Sequence, residues 1–263
     1  MRVGRMKTMN MYEAIFIRKS VKKFVMEELD SKLLEQIEQF ATELPLAMEN
    51  ANVEFKIFSN LHEEKQISKI LSVKSPYYFV VGCDHEYDQL INAGFLMEQI
   101  TLYLASRGLG STWLTHTHLK ADNLDGFEKD PILVIAFGKA NQIMFRNHRR
   151  VHRLPENEIA LYKEDVNADV KLMVKAARLA PSYLNTQPWR LVVYENRIHI
   201  FCKKNIFGQE VLQDKKLIDV GVMIANMMLV AEELWIDVKI EKVENISNKY
   251  FKNNIYVFSV IVR

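Results

Sequence analysis

Cysteine is scarce. The 263-residue chain has two, Cys83 and Cys202, both inside apolar strand-like runs. Two isolated thiols support neither a disulfide framework, nor a zinc site, nor a CxxC redox motif; buried, inert thiols in a reducing cytosol are the default. Net charge is also small, and a balance of +2 argues against a general nucleic-acid binder. Long apolar runs are missing. The longest helix-like one, Leu217 to Ala231, contains Asp219 and falls short of the roughly 20 residues that span a bilayer. The opening Met1 to Asn10 is basic without an apolar h-region, so it does not read as a secretory signal. A Gly-x-Gly-x-x-Gly fingerprint is absent, and with it the case for a Rossmann domain. No Ser-His-Asp or Cys-His arrangement stands out. His116 and His118 lie two apart with no further ligands nearby, and read as surface or capping residues rather than a metal site.

What is present is an ordinary globular balance, 49% hydrophobic and 26% charged, in a chain long enough for two packed half-domains. Met11 to Ile17 is helix-compatible. A second helix opens at Asp30-Ser31, carries Leu34, Ile37, Phe40, Ala41 and Leu44 on one face, and stops at Pro45. Strands are expected at Val53 to Phe58, Tyr77 to Cys83 and Ile132 to Phe137, and a polar helix at His62 to Leu71. Leu90 to Arg107 is a long apolar helix. In the second half, Asp169 to Leu179 reads as a helix, and Arg190 to Glu195 with Arg197 to Lys203 as a hairpin. A long helix then runs from Leu217 to Trp235, and Val238 to Val243 and Ile255 to Val262 read as closing strands.

Three stretches carry more polar chemistry than these elements need. Arg18-Lys19-Ser20-Val21-Lys22-Lys23 sets four cations and a serine at a helix end, a composition that can hold a phosphate. It equally suits a solvated helix C-terminus. Gly108-Leu109-Gly110-Ser111 follows the long helix; one glycine would suffice as a cap, and a second permits close approach of backbone N–H groups to a ligand. Ala180-Pro181-Ser182-Tyr183-Leu184-Asn185-Thr186-Gln187-Pro188-Trp189 packs Ser182, Asn185 and Gln187 between two prolines that forbid helix. The plain reading of that stretch is a helix-to-strand turn, and the sharper one a rim for a flat polar heterocycle.

The last stretch resembles the Pro-Ser-x-x-Asn-x-Gln-Pro-Trp motif of the nitroreductase family of FMN-dependent oxidoreductases. The first resembles that family's opening Arg-x-Ser-x-Arg/Lys-x-Phe motif, and Gly108-Leu-Gly110 its Gly-Leu/Ile-Gly segment. The resemblance implies that Arg18 and Ser20 bind the FMN phosphate and ribityl chain, with Lys19 a weaker candidate. It also implies that Lys22 lies near the pyrimidine edge, and that Gly108, Leu109, Gly110 and Ser111 face the flavin's central edge, with Trp113 a packing residue. Pro181, Ser182, Asn185 and Gln187 would read the other edge. Basic residues after the last strand close over the phosphate in this family, which points to Arg149 or Arg150 and leaves the choice open.

The chain also resembles itself. At an offset of 136 residues Pro45 meets Pro181, and Leu34, Ile37, Ala41, Phe55 and Ile57 meet Val170, Met173, Ala177, Leu191 and Val193. At an offset of 127, Leu90-Ile91-Asn92-Ala93-Gly94 meets Leu217-Ile218-Asp219-Val220-Gly221. Nitroreductases are typically dimers with each flavin at the subunit interface; here the Arg-x-Ser and Pro-Ser-x-x-Asn elements fall in opposite halves of one chain. The complementary positions are Leu46, Glu49 and Ala51, and Trp235-Ile236 stand where Gly108-Leu109 stand in the first half. The expectation is an α+β, nitroreductase-like fused pseudo-dimer, similar to the single-chain subgroup. Its halves would be residues 10–150 and 165–263, each a mostly antiparallel sheet with helices, packed through the central helices. One FMN site would work and one would be vestigial. The resemblance further implies a cytoplasmic enzyme with NADH or NADPH as transient hydride donor and a nitroaromatic or quinone as small-molecule acceptor. No nucleic acid or membrane is expected as a partner. Fusion removes the need for the usual dimer, so a monomer is expected, with a homodimer as the alternative. A non-catalytic FMN-binding protein, or a vestigial homologue, is the competing reading.

Overall fold

Two long apolar helices cross at the centre of the computed structural model, which describes residues 9–49, 52–61, 71–114, 119–120, 124–146, 152–204, 210–246 and 251–263 (backbone only at 210–212). They are α3 (Tyr87–Ser106) and α6 (Glu210–Glu233). Gly94 and Gly221 lie at their crossing. A Cβ on Gly94 would stand 2.0 Å from the Ile218 carbonyl oxygen, and one on Gly221 would stand 2.0 Å from that of Ile91. Glycine in a helix interior is unfavourable by about 1 kcal/mol relative to alanine, and here its missing side chain is what lets the two backbones touch.

The shorter helices follow local signals. α1 (Met11–Ile17) starts with a reciprocal capping box between Asn10 and Glu13. α2 (Ser31–Glu43) is capped by Asp30, whose carboxylate accepts the Lys32 N–H at 2.8 Å, and Pro45 follows its end. A one-turn helix, α4 (Glu156–Ile159), precedes α5 (Ala168–Leu179), which is capped by Asn167 and stopped by Pro181.

Two sheets flank the helices. The first has the order β1 (Val53–Ser59), β2 (Tyr77–Cys83), β4 (Pro131–Gly138), β3 (Gly110–Leu114), all antiparallel. β2 is buried on both faces: Tyr77, Phe79 and Val81 enter the main core, while Tyr78 and Val80 pack with Val21, Phe24 and Ala136 on the far side. This explains its unbroken apolar run. The second sheet has the order β5 (Ala160–Tyr162), β6 (Trp189–Tyr194), β7 (Arg197–Lys203), β9 (Asn254–Val262), β8 (Val238–Glu241). Its pairings are antiparallel except β5 with β6. One hydrophobic cluster runs from Phe79 and Phe137 through Ile91, Met97, Val222 and Met223 to Trp189 and Phe258. The architecture is α+β.

Most expected elements appear within a residue or two. The hairpin and the interior strand lie where their patterns put them, while α3 begins three residues and α6 seven residues before the expected starts. Sequence reading missed α4 and β5, and also strand β3, which Gly110 and Ser111 begin. The helix expected at His62 to Leu71 lies, except for Leu71, outside the described residues, as do His116 and His118. Cys83 and Cys202 are both buried and free, and burial pushes each thiol up to about 12, so neither is poised to react. Among the described residues no helix is long and apolar enough to cross a membrane, and no group of His, Cys, Asp or Glu is placed to hold a metal ion.

Candidate functional site

The chain leaving α1 does not continue as helix. Arg18 turns extended, its N–H closing α1 on the Ala14 carbonyl, and residues 18 to 24 run between two neighbours. On one side Lys19 N–H donates to Met144 O at 2.8 Å and Arg146 N–H to Ile17 O at 2.8 Å. On the other, Val21 N–H donates to Ser111 O at 2.9 Å, and Gly110 leaves room for the Val21 side chain, which a Cβ there would meet at 2.8 Å. Val21 thus anchors inward while Lys19, Ser20 and Lys22 stay exposed.

Opposite stands the loop after α5. Ser182 Oγ accepts the Gln187 N–H at 2.9 Å, and Leu184, Asn185 and Gln187 take positive φ of 48°, 56° and 46°. Three non-glycine residues in the left-handed region within four positions hold strain that the surroundings must enforce. They do so through Arg153, which donates to Leu179 O at 3.1 Å and to Asn185 Oδ1 at 2.7 Å. Gln187 is turned inward and buried; its Oε1 accepts the Leu154 N–H at 2.8 Å and its amide nitrogen donates to Asn185 O.

Between the segment and the loop lies a cleft of about 790 Å³, walled by Arg18, Lys19, Ser20, Glu98, Arg146, His152, Arg153, Pro181, Ser182 and Asn185, with apolar side chains at its margins. Glu98, on α3, is buried and pairs with Arg18 at 3.2 Å. Burial pushes its carboxyl up to about 7, against the downward pull of Arg18, Arg153 and Arg146. Burial, with repulsion from neighbouring arginines, lowers the Arg146 and Arg153 guanidiniums, Arg146 to about 10. Three arginines and Lys19 around one carboxyl leave a surplus of positive charge and donors, the chemistry of a phosphate or carboxylate seat.

A smaller pocket of about 270 Å³ opens beside it and shares Arg18, Ser20, Pro181 and Ser182 as walls. Lys22, Thr112, Trp113, Tyr183, Lys215 and Asp219 also line it. Trp113 is fixed by its indole N–H on Thr101 Oγ1 at 2.8 Å. The Lys215 ammonium lies 4.1 Å from the Tyr183 ring centroid. Asp219 is 2% exposed; Oδ1 accepts the Tyr183 N–H at 2.8 Å, and Oδ2 has no hydrogen-bond partner among the described residues. Burial pushes this carboxyl up to about 8.

The structure therefore brings together Arg18, Lys19, Ser20, Lys22, Pro181, Ser182 and Asn185. It does not bring Gly108, Leu109, Gly110 and Ser111 to either cavity's lining. Gly108 closes α3, Leu109 and Ser111 are buried, and Gly110 packs on Val21; the neighbours Thr112 and Trp113 reach the pocket instead. Gln187 is likewise absent from both linings and braces the loop from behind. Arg149 and Arg150 lie outside the described residues, whereas Arg146 and Arg153, at the two ends of the same basic run, wall the cleft. Glu98, Lys215 and Asp219 were not singled out by sequence for the site; the signal available for each was a charge set in or beside an apolar helical run.

A family profile described as "Putative TM nitroreductase" matches residues 10–231. A crystal structure of a protein described as a "putative nitroreductase" from Thermotoga maritima shares 22% identity over 98% of this chain and 96% of that one, with a TM-score of 0.68, and shows the same fold. A nitroreductase with bound FMN from Desulfitobacterium hafniense matches 59% of this chain and all of its own at 18% identity and a TM-score of 0.48. A nitroreductase family protein from Clostridium novyi matches 50% of this chain and 87% of its own at 21% identity and a TM-score of 0.42. No curated protein matches the chain.

Proposed function

The chain belongs to the family described as "Putative TM nitroreductase", and from that premise we propose that it is an FMN-dependent oxidoreductase. Electrons would come from NADH or NADPH and go to a nitroaromatic or quinone-type acceptor. The observation that carries this reading is the paired cavity: an arginine-walled cleft continuous with a pocket edged by Trp113 and Tyr183. The donor set fits the cofactor, because a dianionic phosphate matches the guanidiniums and a flat ring matches the smaller pocket. Bound FMN supplies reversible two-electron chemistry, which side chains alone do not offer.

The protein's share is binding and orientation. Arg18, Lys19, Ser20 and Arg146 on one wall and Arg153 beside Ser182 and Asn185 on the other hold the phosphate through charge-assisted hydrogen bonds, each worth on the order of 1.5–3 kcal/mol. Glu98 keeps Arg18 in place. Lys22 sets positive charge beside the ring and favours negative charge on it. Pro181 and Ser182 close the ring's other side, and Asn185, fixed by Arg153, keeps the loop in its strained form.

Arg18, Lys19, Ser20 and Arg146 come from the first half of the chain and Pro181, Ser182 and Asn185 from the second, with Arg153 on the stretch that joins them. With the reciprocal glycine crossing, this supports a duplicated chain whose two halves, 10–150 and 165–263, stand in for two subunits of a dimer, with one working site. A monomer meets the requirement for both walls. The buried, unpaired cysteines suit a cytoplasmic protein.

The test is the absorption spectrum of the purified chain, with flavin quantified after denaturation and NADH or NADPH oxidation followed with an added quinone. About one FMN per chain and steady turnover are expected. Flavin that is never reduced leaves a binding protein, no flavin after soaking removes the enzyme reading, and two FMN per chain remove the single-site reading.

A further inference from the structure

The central helices carry a matched pair of polar residues, each two positions before the crossing glycine and 127 positions apart in sequence: Asn92 on α3 and Asp219 on α6. Both clamp the loop that follows the preceding short helix. Asn92 is fully used. Its Oδ1 accepts the Ala47 and Met48 N–H groups at 2.9 Å each, and its Nδ2 donates to Met48 O at 3.0 Å. Asp219 is half used. Oδ1 accepts the Tyr183 N–H, and Oδ2 has no hydrogen-bond partner among the described residues although the residue is 2% exposed and lines the smaller pocket.

A buried carboxylate oxygen left unsatisfied is costly, and such exceptions need an explanation. Lys215 lies one turn earlier on the same helix and lines the same pocket, but its ammonium sits over the Tyr183 ring and makes no ion pair with Asp219. Lys22 and Arg18 also line that pocket, and Arg18 is taken by Glu98. What the free oxygen lacks is a hydrogen-bond donor from within the cavity.

A flavin's ring supplies one. Its imide edge presents an N3–H donor between two carbonyl acceptors. Resting on the FMN reading above, we propose that Asp219 recognises this edge: Oδ2 accepts the hydrogen bond from flavin N3–H, while Oδ1 keeps the Tyr183 N–H. Asp219 then joins the two requirements of the site. One carboxyl fixes the strained Pro181–Gln187 loop and selects the ring that the loop covers. Burial pushes the empty carboxyl up to about 8, and a donated hydrogen bond favours its ionised form.

The experiment is an equilibrium titration of the full-length chain, stripped of flavin, with FMN and with 3-methyl-FMN, whose N3 carries no hydrogen. The wild-type chain should bind FMN at least tenfold more tightly, a gap of about 1.4 kcal/mol. Asp219→Asn keeps an oxygen for the Tyr183 N–H and turns the other position into a donor, so the preference should fall to within about twofold at unchanged melting temperature. Asp219→Leu should lose the same preference and melt lower. A purely structural Asp219 would weaken both flavins equally and leave their ratio intact. The proposal is overturned if wild type does not distinguish the two flavins, or if Asp219→Asn distinguishes them as wild type does. A wild-type chain that takes up neither flavin overturns the FMN reading and this inference with it. Uptake of both without discrimination overturns the inference alone.

Discussion

Gly94→Ala is a demanding test of how the two halves are held. The added Cβ would lie 2.0 Å from the Ile218 carbonyl oxygen, 2.8 Å from its carbon and 3.1 Å from its Cα. All three are backbone atoms of a helix, so no rotamer change relieves the contact. A relaxed carbon-to-oxygen contact needs about 3.3 Å, so α3 and α6 must part locally by roughly 1.3 Å. That separation loosens a seam lined by Ile91, Met97, Val222 and Met223, each fully buried. Overpacking of this kind costs about 1–3 kcal/mol or more, and the opened seam adds lost dispersion contacts. Alanine returns about 1 kcal/mol of helix propensity. The net loss should be about 2–3 kcal/mol, which for a chain of this size lowers the melting temperature by roughly 5–10 °C. Thermal and urea unfolding measure it directly. Gly221→Ala should behave alike, since its Cβ would meet the Ile91 carbonyl oxygen at the same 2.0 Å. The double variant should lose less than the two single losses together, by about 1 kcal/mol, because one separation relieves both contacts. If Gly94→Ala melts within about 1 °C of wild type, the crossing is not a tight backbone contact. Strict additivity in the double variant would refute the shared separation.

Other consequences follow from the cleft. Arg18→Ala should weaken FMN binding at least tenfold, or about 1.4 kcal/mol, through loss of a charge-assisted phosphate contact; unchanged affinity by fluorescence titration would undo its assignment. Arg153→Lys keeps the charge and loses the planar fork that spans Leu179 O and Asn185 Oδ1, so FMN affinity and melting temperature should both fall, the latter by about 1–2 kcal/mol of stability. Glu98 should make stability fall as pH rises from about 4.5 to about 7: the folded carboxyl keeps its proton to about 7, the unfolded one releases it near 4.5, and the folded state binds more protons between them. In Glu98→Gln the decline of the urea midpoint over that window should be shallower, with the remainder belonging to Asp219, held up to about 8. A wild-type midpoint that rises across the window would contradict this assignment. FMN affinity should fall as salt rises, because the phosphate contacts are partly exposed and screened.

The sequence was most legible where chemistry is local. Pro45 and Pro181 end helices because proline cannot continue them, and Asp30 caps because a short polar side chain reaches the first free N–H groups; Asn10 and Asn167, which the sequence reading did not name, cap in the same way. Ser20, Ser182 and Asn185 could be named because each sits in a compact motif whose neighbours fix its direction. Legibility failed where a residue's role depends on where another part of the chain passes. Arg149 and Arg150 could not be separated from Arg146 and Arg153 by composition, since all four share one basic run. Contacts with α1 and with Leu179 place Arg146 and Arg153 on the cleft, while Arg149 and Arg150 lie outside the described residues. Gln187 looks like Asn185 in sequence and both hold positive φ, yet Gln187 is buried with its side chain on the Leu154 N–H, while Asn185 lines the cleft. Glu98 showed only as a charge in an apolar helix, and whether such a charge faces a neighbour or a cavity is a matter of helical phase.

The same dependence explains why a chain with two similar halves would keep one site. The glycine crossing treats the halves alike: Gly94 meets Ile218 as Gly221 meets Ile91. The loop clamps already differ, since Asn92 spends every polar atom on residues 47 and 48, while Asp219, which lines a pocket, leaves one oxygen without a partner among the described residues. The charge differs too. Glu98, which holds Arg18, has Ala225 at the matching position, so the second half has no carboxyl there to order an arginine. Trp235 stands where the first half has Gly108; it holds a positive φ of 58° and is 96% exposed. Packing at the crossing binds both halves to the same geometry, because a Cβ on either glycine strikes backbone. Residues that touch only a ligand carry no such constraint. On the proposed duplication, selection would then have preserved the crossing in both halves and the polar set in one. Restoring Glu at position 225 should accordingly destabilise the chain by about 3 kcal/mol or more, as a buried carboxylate with no arginine opposite, where Glu98 is tolerated beside three. Urea unfolding of Ala225→Glu measures this, and a neutral result would mean that the second half still holds a cation at that place.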